Sequence, residues 1–271
     1  MIIDKNQAKR FIRQIALKEI GVHGQKKLFS SKVLVIGAGG LGSPAILYLA
    51  AAGVGTIGIA DHDKVEISNL QRQIIHSTSF VGRKKVSSAK QSAFSLNPDI
   101  RIVCHDLFLD TENIMQIISD YDFIMDCTDR FETKFLINDA CVLAEKPYSH
   151  AGAVGWAGQT MTYVPGKGPC LRCLLNEVPH NGITCSEAGV LGAALGVIGS
   201  IQAAEAIKYI LEEGELLTGK ILSVDVLSMD ICVHSVCRSN PDCPVCGRSP
   251  TIRFLSDNVD DYMIHSCGRE E

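Results

Sequence analysis

The chain has 271 residues, of which 46% are hydrophobic and 21% are charged, so it can build a large core and has an ordinary globular composition. Its formal net charge of -4 at pH 7 gives no concentrated basic surface, which argues against nucleic acid as a partner. Residues 1–21 carry charges every few positions and lack an uninterrupted apolar core, so no secretion signal is predicted and we expect a cytoplasmic protein.

The first part of the chain predicts a helical segment followed by a β-α-β unit. Residues 1–30 are predicted to be helical, because apolar residues recur among charges until two glycines end the pattern. The apolar run KVLVIG predicts a strand that leads into the glycine-rich GAGGLG. A helical stretch, SPAILYLAAAG, and a second strand, TIGIAD, follow and end at Asp61.

The same alternation continues to residue 151. The further predicted elements are helices at 83–96, 111–119 and 131–145 and strands at 100–105, 121–126 and 147–151. Strands that alternate with helices predict a doubly wound, Rossmann-like α/β fold, with a mostly parallel sheet and helices on both faces.

After about residue 155 the pattern changes to strand-like GQTMTYVP, a Gly/Pro/Cys-rich stretch, an apolar helix, and two strands, KILSVDV and ICVHSV. We expect these elements to extend the same compact body. The chain is therefore divided into a helical segment at 1–30, a nucleotide-binding part at 31–165 and a C-terminal part at 166–271.

The apolar helix at 190–210 has nearly the length of a membrane span. Gln202, Glu205 and Lys208 interrupt it before about 20 apolar residues accumulate, the length that a bilayer requires. We therefore predict a buried helix and no membrane partner.

The glycine-rich loop predicts a nucleotide site. Gly37, Gly39, Gly40 and Gly42 form a GxGxxG motif between a strand and a helix, and Asp61 ends the next strand. Glycines let the backbone approach a phosphate, the helix N-terminus offers free N–H groups, and the acid can bind ribose hydroxyls. This motif alone leaves both NAD and ATP open.

The residues that follow favour ATP. The segments SNLQRQ, at 68–73, and RKK, at 83–85, place positive charge and amide groups just past the second strand. Such groups suit a triphosphate, whose departing pyrophosphate accumulates negative charge.

These motifs together resemble the ThiF/MoeB/HesA family, prokaryotic relatives of ubiquitin-activating enzymes. GAGGLGSP, ADHD, SNLQRQ, GRKKV, DCTD and two CxxC pairs occur in the family's order, from about Arg10 to Cys246. The resemblance implies an adenylyltransferase that uses ATP and Mg²⁺. Its nucleotide site would comprise Gly37, Gly39, Gly40, Gly42, Asp61, Ser68, Asn69, Gln71, Arg72, Lys85, Asp129 and Arg130.

The resemblance also implies individual roles. Asp61 would hold the ribose, Arg72 and Lys85 the phosphates, and Asp129 the magnesium ion, while Arg13 would reach into the ATP site of the other subunit of a homodimer. The alternatives are solvated surface charges for the cationic residues and, for Asp129, an N-cap of the helix that follows.

Two positions depart from the family's pattern. Arg130 follows Asp129 where relatives commonly have asparagine, and Lys134 stands where they have arginine. A basic side chain at position 130 would alter how the nucleotide or the magnesium ion is held.

Four of the eleven cysteines predict a zinc site. Cys170, Cys173, Cys243 and Cys246 form two CxxC pairs, which can supply a closed, structural Zn²⁺ site. A redox CxxC is the alternative, but the Pro-rich contexts GPCLRC and PDCPVC lack a thioredoxin-like setting. The cysteines that could replace one of these ligands are Cys232 and Cys237.

Cys185 lies in a loop before the apolar helix, where a helix N-terminus could lower its pKa and favour the nucleophilic thiolate. In some members of the family this position joins covalently to the activated carrier protein; the alternative is an ordinary loop cysteine. The thiols interpreted as core or incidental are Cys104, Cys127, Cys141 and Cys267.

The function expected from the resemblance is adenylation of the C-terminal carboxylate of a ubiquitin-like sulfur carrier that ends in Gly-Gly. The product would be a thiocarboxylate for thiamine-thiazole, molybdopterin or related biosynthesis, with 166–271 serving as the carrier-binding and zinc part. No rhodanese domain follows the second CxxC, so a separate donor, a cysteine desulfurase or a rhodanese, would supply sulfur. The alternatives are an NAD-dependent oxidoreductase and adenylation of a tRNA base or peptide terminus.

Overall fold

A computed structural model of the chain describes residues 4–179, 188–236 and 239–263. The α-helices are α1 (Lys5–Ile15), α2 (Gly21–Ser30), α3 (Gly42–Ala52), α4 (Lys85–Leu96), α5 (Ile114–Ser119), α6 (Phe131–Leu143), α7 (Leu171–Leu174) and α8 (Gly192–Leu211). The strands are β1 (Lys32–Ile36), β2 (Thr56–Ala60), β3 (Arg101–His105), β4 (Phe123–Asp126), β5 (Tyr148–Val154), β6 (Ala157–Tyr163), β7 (Lys220–Asp225) and β8 (Asp230–Ser235). Short 3-10 helices occupy Ile67–Asn69, Thr78–Phe80 and Leu255–Tyr262.

These strands form one eight-stranded sheet in the order β3-β2-β1-β4-β5-β6-β7-β8. The strands from β3 to β5 are parallel, and β6, β7 and β8 are added antiparallel. The central strands are almost continuously buried, as parallel strands covered on both faces should be. The strand order reverses between β1 and β4, and ligands of open α/β sheets bind beside the carboxyl ends of such strands. The predicted doubly wound sheet with added strands is confirmed.

Helices cover both faces of the sheet and enclose two hydrophobic cores. On one face, α3, α4 and α8 contribute Ile46, Ala89 and Ile198 to the core. On the other face, α5 and α6 contribute Ile118 and Phe135. This layering leaves the carboxyl ends of β1, β2 and β4 free of covering helices, so side chains that follow these strands can share a site.

The N-terminal segment differs from the single helical stretch predicted for 1–30. It forms two helices, α1 and α2, because the chain leaves helical geometry between Ala16 and Ile20. Asp4 caps α1 by accepting the N–H groups of the first turn, and Phe11 packs edge-on against Phe29 of α2 with ring centroids 5.1 Å apart. The apolar periodicity predicted helix correctly but did not reveal the break.

The predicted buried helix is α8. Its length and composition would suffice to cross a membrane, but half of that apolar window is buried within the protein. Gly199 lets α8 approach α3, since a Cβ there would lie 2.3 Å from the Leu41 carbonyl oxygen. Buried Gln202 and Glu205 have hydrogen-bond partners on β4, β5, β6 and the segment before β7, as polar groups of a core helix require.

Candidate active site

The glycine-rich loop joins β1 to α3 and turns too tightly for side chains at two positions. Gly37 has a φ of 96°, and a Cβ there would lie 2.7 Å from the Cys127 carbonyl oxygen. A Cβ on Gly42 would lie 1.9 Å from the Gly37 carbonyl oxygen, so glycine is needed for α3 to begin here. Gly39 instead opens into a cavity, where a ligand can approach its backbone.

Asp61 follows β2, lines the same cavity and orients the glycine-rich loop. Its carboxylate accepts hydrogen bonds from the N–H groups of Ala38, at 2.8 Å, and Asp63, at 2.9 Å. The Ala38 carbonyl lies 2.9 Å from Nε2 of His76, a buried histidine that sequence analysis did not identify. Both polar backbone atoms of Ala38 are therefore fixed before any ligand binds.

Two cationic side chains reach the cavity from the segment after β2. Lys85 is 7% exposed, and its Nζ lies 2.8 Å from Oδ2 of Asp63. Burial raises the pKa of Asp63, but the hydrogen bond and charge of Lys85 outweigh it and lower that pKa overall. Arg72 also lines the cavity and donates to the Ser68 carbonyl at 3.1 Å. One wall of the cavity thus carries fixed positive charge of the kind that binds phosphates.

The structure does not bring Ser68, Asn69 or Gln71 to the lining of this cavity. The 3-10 turn directs the Asn69 amide to the Glu66 N–H and the Ser68 hydroxyl to the Glu66 carboxylate, and Gln71 is exposed. Gln73, which was not predicted, does line the cavity. Its side chain is buried, and Oε1 has no hydrogen-bond partner among the described residues. An unpaired buried amide is costly, so Gln73 is suited to bond a ligand.

The DCTD motif forms the turn from β4 to α6. Asp129 and Arg130 both line the cavity. The N-cap of α6 is Arg130, without a side-chain cap hydrogen bond, so the alternative that Asp129 caps this helix is wrong. The Asp129 carboxylate is therefore available to a ligand or metal ion.

A fully buried carboxylate, Asp126, lies beneath this turn. Its Oδ1 accepts the Thr128 hydroxyl at 2.6 Å, and its Oδ2 lies 3.1 Å from Nζ of Lys134 and 2.9 Å from Nδ1 of His150. Burial raises the pKa of Asp126, but the charge of Lys134 and the hydrogen bond from His150 outweigh it and hold that pKa well below its usual range. Lys134 is therefore a buried ion-pair partner rather than a solvated charge.

The cavity has a volume of about 870 Å³ and extends from the glycine-rich loop to β7 and β8. This volume lies within the range of ligand pockets. The half away from the glycine-rich loop is lined by small and apolar residues, among them Gly152, Ala153, Ala157, Gly158 and Val224, and also by Gln159, Asp225 and Asp230. Trp156, the single tryptophan of the chain, lies in the adjoining β5–β6 turn and is 47% exposed. This half suits a thin, extended ligand.

A second candidate site is formed by the four predicted cysteines. The sulfur of Cys170 lies 3.6 Å from that of Cys243 and 3.4 Å from that of Cys246, and Cys173 lies 3.3 Å from Cys246. Zinc–sulfur bonds of about 2.3 Å in a tetrahedron require sulfurs roughly 3.8 Å apart, so this cluster fits one ion. The Asn240 N–H donates to the Cys173 sulfur at 3.3 Å, which supports a thiolate there.

A buried ion pair anchors this cluster to α6. Arg172, between the two cysteines of the first pair, binds Asp139 of α6 and Asp261 of the C-terminal 3-10 helix. Its guanidinium also lies over the Phe135 ring, 4.7 Å from the centroid. The Asn138 side chain accepts the Leu171 N–H at 2.8 Å. The cluster is thus held to α6, the helix that begins beside Asp129 and Arg130 of the cavity lining.

The other predicted site residues have different placements. Arg13 is exposed on α1 and does not line the cavity, so its predicted role across subunits stays a prediction. Cys232 is an exposed thiol at the far end of the cavity and does not belong to the four-cysteine cluster. Of the incidental thiols, Cys127 and Cys141 are buried. The predicted residues outside the described part of the chain are Cys185, Cys237 and Cys267.

Comparison with known proteins gives a consistent result. A model of the ThiF family matches residues 11–245. The adenylyltransferase and sulfurtransferase MOCS3 of Aedes aegypti is 44% identical over 94% of this chain, which spans 59% of that relative's length. The SAMP-activating enzyme E1 of Haloferax volcanii is 42% identical, over 98% of this chain and 97% of its own.

Solved structures agree with these matches. The crystal structure of Escherichia coli MccB with ATP superposes with a TM-score of 0.77 at 27% identity, covering 90% of this chain and 74% of MccB. MccB with succinimide gives a TM-score of 0.75 at 28% identity, covering 88% and 74% of the two chains.

Proposed function

Because this chain belongs to the ThiF family, we propose that it uses ATP to adenylate the C-terminal carboxylate of a ubiquitin-like sulfur-carrier protein. The names of the relatives, an adenylyltransferase and sulfurtransferase and a SAMP-activating E1, support this activity. The observation that carries the proposal is one continuous cavity with two kinds of lining: cationic and acidic groups around the glycine-rich loop, and small residues together with Asp225 and Asp230 towards β7 and β8.

ATP occupies the charged half of the cavity in this proposal. Its phosphates lie against the backbone of Gly39, which is open to the cavity. Gln73 Oε1, which has no partner among the described residues, accepts a hydrogen bond from a hydroxyl or amino group of the nucleotide. Arg72 and Lys85 neutralise the negative charge that develops on the pyrophosphate as it leaves. To do so, Lys85 replaces its ion pair with Asp63 by one with a phosphate group. Asp61 binds the ribose.

The C-terminal tail of the carrier occupies the half with small residues. A Gly-Gly tail has no side chains, so it fits beside Gly152 and Gly158 and brings its carboxylate to the α-phosphate. The carboxylate is ionised at neutral pH and needs no general base; it attacks phosphorus in line, pyrophosphate leaves, and an acyl-adenylate forms. Positioning and charge neutralisation supply most of the lowering of the barrier.

Two metal ions complete the proposal. Asp129 would hold Mg²⁺, which would supply positive charge that screens the phosphate oxygens from the attacking carboxylate. Zn²⁺ binds the four clustered cysteines, a donor set that leaves no open coordination position and therefore serves structure rather than catalysis. The exposed group Asp61, His62 and Asp63 offers ligand atoms within 4.8 Å of one another, but the ion pair with Lys85 already engages Asp63.

The proposal includes a homodimer. Exposed apolar side chains on and beside α1 and α2, namely Ile12, Leu17 and Val22, form a surface that a second copy would cover, and Arg13 lies on the same segment. The partner's Arg13 would then complete the ATP site. A separate sulfur donor, a cysteine desulfurase or a rhodanese, converts the acyl-adenylate to a thiocarboxylate, and Cys185 is proposed as a covalent acceptor of the activated carrier. We place this reaction in the cytoplasm, in thiamine, molybdopterin or related biosynthesis.

Pyrophosphate exchange tests the proposal. With a Gly-Gly-tailed ubiquitin-like carrier, labelled pyrophosphate should enter ATP, and Asp129→Ala should abolish the exchange. Asp120→Ala is the matched control, because it makes the same chemical change at an exposed position that does not line the cavity.

The same assay separates the alternatives. Pyrophosphate exchange that requires a peptide or a tRNA, rather than a carrier protein, would show that the substrate is a peptide or a tRNA. Stabilisation against heat by NAD but not by ATP would support an oxidoreductase instead, and no exchange with any carrier tested would count against the proposed substrate.

A further inference from the structure

His150 lines the cavity and can contact a ligand there, although the proposed adenylation assigns it no role. Asp126, the last residue of β4, is paired in register with His150, the third residue of β5. Its partner Asp126 is three residues before Asp129 of the charged half, and His150 itself is two residues before Gly152 of the half with small residues.

The contacts of the ring define its protonation. Nδ1 lies 2.9 Å from Oδ2 of Asp126, which is ionised and can only accept, so Nδ1 carries the hydrogen. The other ring nitrogen, Nε2, then has a free lone pair in the neutral ring and is the polar atom that remains for the cavity. Burial lowers the pKa of His150, the charge of Lys134 lowers it further, and Asp126 offsets only part of this. The ring is therefore a neutral base near pH 7.

A second half-reaction in which a thiol attacks the acyl-adenylate needs such a base. A carboxylate attacks ATP without losing a proton, but a thiol with a pKa of about 8.5 is mainly protonated at neutral pH and is then a poor nucleophile. His150 lines the cavity in which the acyl-adenylate would form.

Resting on the proposed function, we propose that His150 is the general base for attack by a thiol: its Nε2 removes the thiol proton as the sulfur attacks the acyl carbon of the acyl-adenylate. A carbon–sulfur bond forms, and the bond between the acyl carbon and the AMP oxygen breaks with its electron pair left on AMP. The sulfur's proton moves to Nε2. Asp126 holds the ring in this tautomer throughout.

The test separates the two half-reactions in His150→Asn. Asparagine can still donate to Asp126 but has no nitrogen that accepts a proton. The acyl-adenylate is formed with a carrier that supports pyrophosphate exchange and is then discharged with dithiothreitol. We expect discharge to slow about 10²–10⁴-fold while exchange stays within about threefold of the wild type. Hydroxylamine, which is uncharged at pH 7.5 and attacks without first losing a proton, should discharge both proteins at similar rates.

The control is His23→Asn, the same change at an exposed position on α2, which should leave all three rates unaltered. If exchange and both discharge rates fall together, His150 is structural and the inference is wrong; if dithiothreitol discharge is unchanged, it is also wrong. Absence of exchange in the wild type contradicts the proposed function itself, and it is seen before any variant is compared.

A pH profile gives a readout that a structural role would not alter. The charged groups that face His150 are Asp126 on β4 and Lys134 on α6, while Thr160 on β6 donates to its carbonyl group at 2.8 Å. In the variant, discharge by dithiothreitol should rise about tenfold per pH unit with the thiolate fraction up to the thiol's pKa. The wild type should level off at lower pH, once His150 is neutral. Identical profiles in the two proteins contradict the role.

Discussion

Lys134→Met should destabilise the protein strongly, because it removes the buried cation that balances Asp126. Lys134 is 5% exposed and Asp126 is completely buried, with 3.1 Å between Nζ and Oδ2. Breaking a buried pair by deleting one partner costs about 3–5 kcal/mol. Against a total stability of roughly 5–15 kcal/mol, the variant should lose a large fraction of its free energy of unfolding. At about 2–4 °C per kcal/mol for a chain of this size, the melting temperature should fall by roughly 6–20 °C.

Lys84→Met is the matched control. It makes the same chemical change in the pair between Lys84 and Asp106, where Nζ and Oδ1 are 3.2 Å apart and the side chains are 42% and 41% exposed. An exposed pair contributes about 0–1 kcal/mol, so this variant should remain close to the wild type in urea unfolding followed by circular dichroism. Equal losses in the two variants would refute the argument that burial makes the Asp126 pair important.

The pH dependence of Lys134→Met provides a second check. Without Lys134, the buried charge of Asp126 has His150 as its remaining ionisable partner, so the pKa of His150 should rise. A histidine with a raised pKa in the folded state contributes stability below its unfolded pKa of about 6.5, and this is lost as pH rises through the folded pKa. The variant should therefore be less destabilised at pH 6 than at pH 8. A loss that is the same at both pH values would show that His150 does not compensate.

Three further predictions concern the metal cluster, the glycine-rich loop and pH. Cys243→Ser should reduce bound zinc, measured by elemental analysis, and lower the melting temperature, whereas Cys232→Ser, outside the cluster, should do neither. Gly42→Ala should cost more than about 2 kcal/mol in urea unfolding, because its Cβ meets the Gly37 carbonyl oxygen at 1.9 Å; Gly196→Ala, with nothing within 4 Å, should stabilise α8 by about 0.5–1 kcal/mol. Burial lowers the pKa of three histidines, His76, His105 and His150. As pH falls below about 6.5, these side chains take up protons in the unfolded chain before they do so in the folded protein. The free energy of unfolding of the wild type should therefore decrease by up to about 1.4 kcal/mol per pH unit for each of them.

Local sequence was sufficient for the features that depend on neighbouring residues. The glycine-rich loop, Asp61 and the DCTD turn follow directly from strand ends, so their proximity could be predicted from alternation of strands and helices. The CxxC pairs place two sulfurs on one turn each, and the chemistry of thiolates indicated that the pairs meet. The break between α1 and α2 was missed, because apolar periodicity continues across it.

The remaining site residues depend on features that a sequence does not display. Gln73, rather than Gln71, lines the cavity because of the path that the chain takes after the 3-10 helix Ile67–Asn69. The pairing of His150 with Asp126 depends on strand register across 24 residues, and Lys134 joins them only when α6 packs on the sheet. Arg172 and Asp139 are 33 residues apart, and no spacing rule links them.

The position of Trp156 gives this protein an internal optical probe. The indole is partly exposed in the β5–β6 turn, between Val154 and Ala157, both of which line the cavity. The turn is also hydrogen-bonded through Gly155 to the backbone of Gly189 and Leu191, just before α8. Since no other tryptophan contributes, fluorescence excited at its absorption edge reports one location. Binding of a ligand in this part of the cavity can therefore be followed in real time on the unlabelled, unmutated chain.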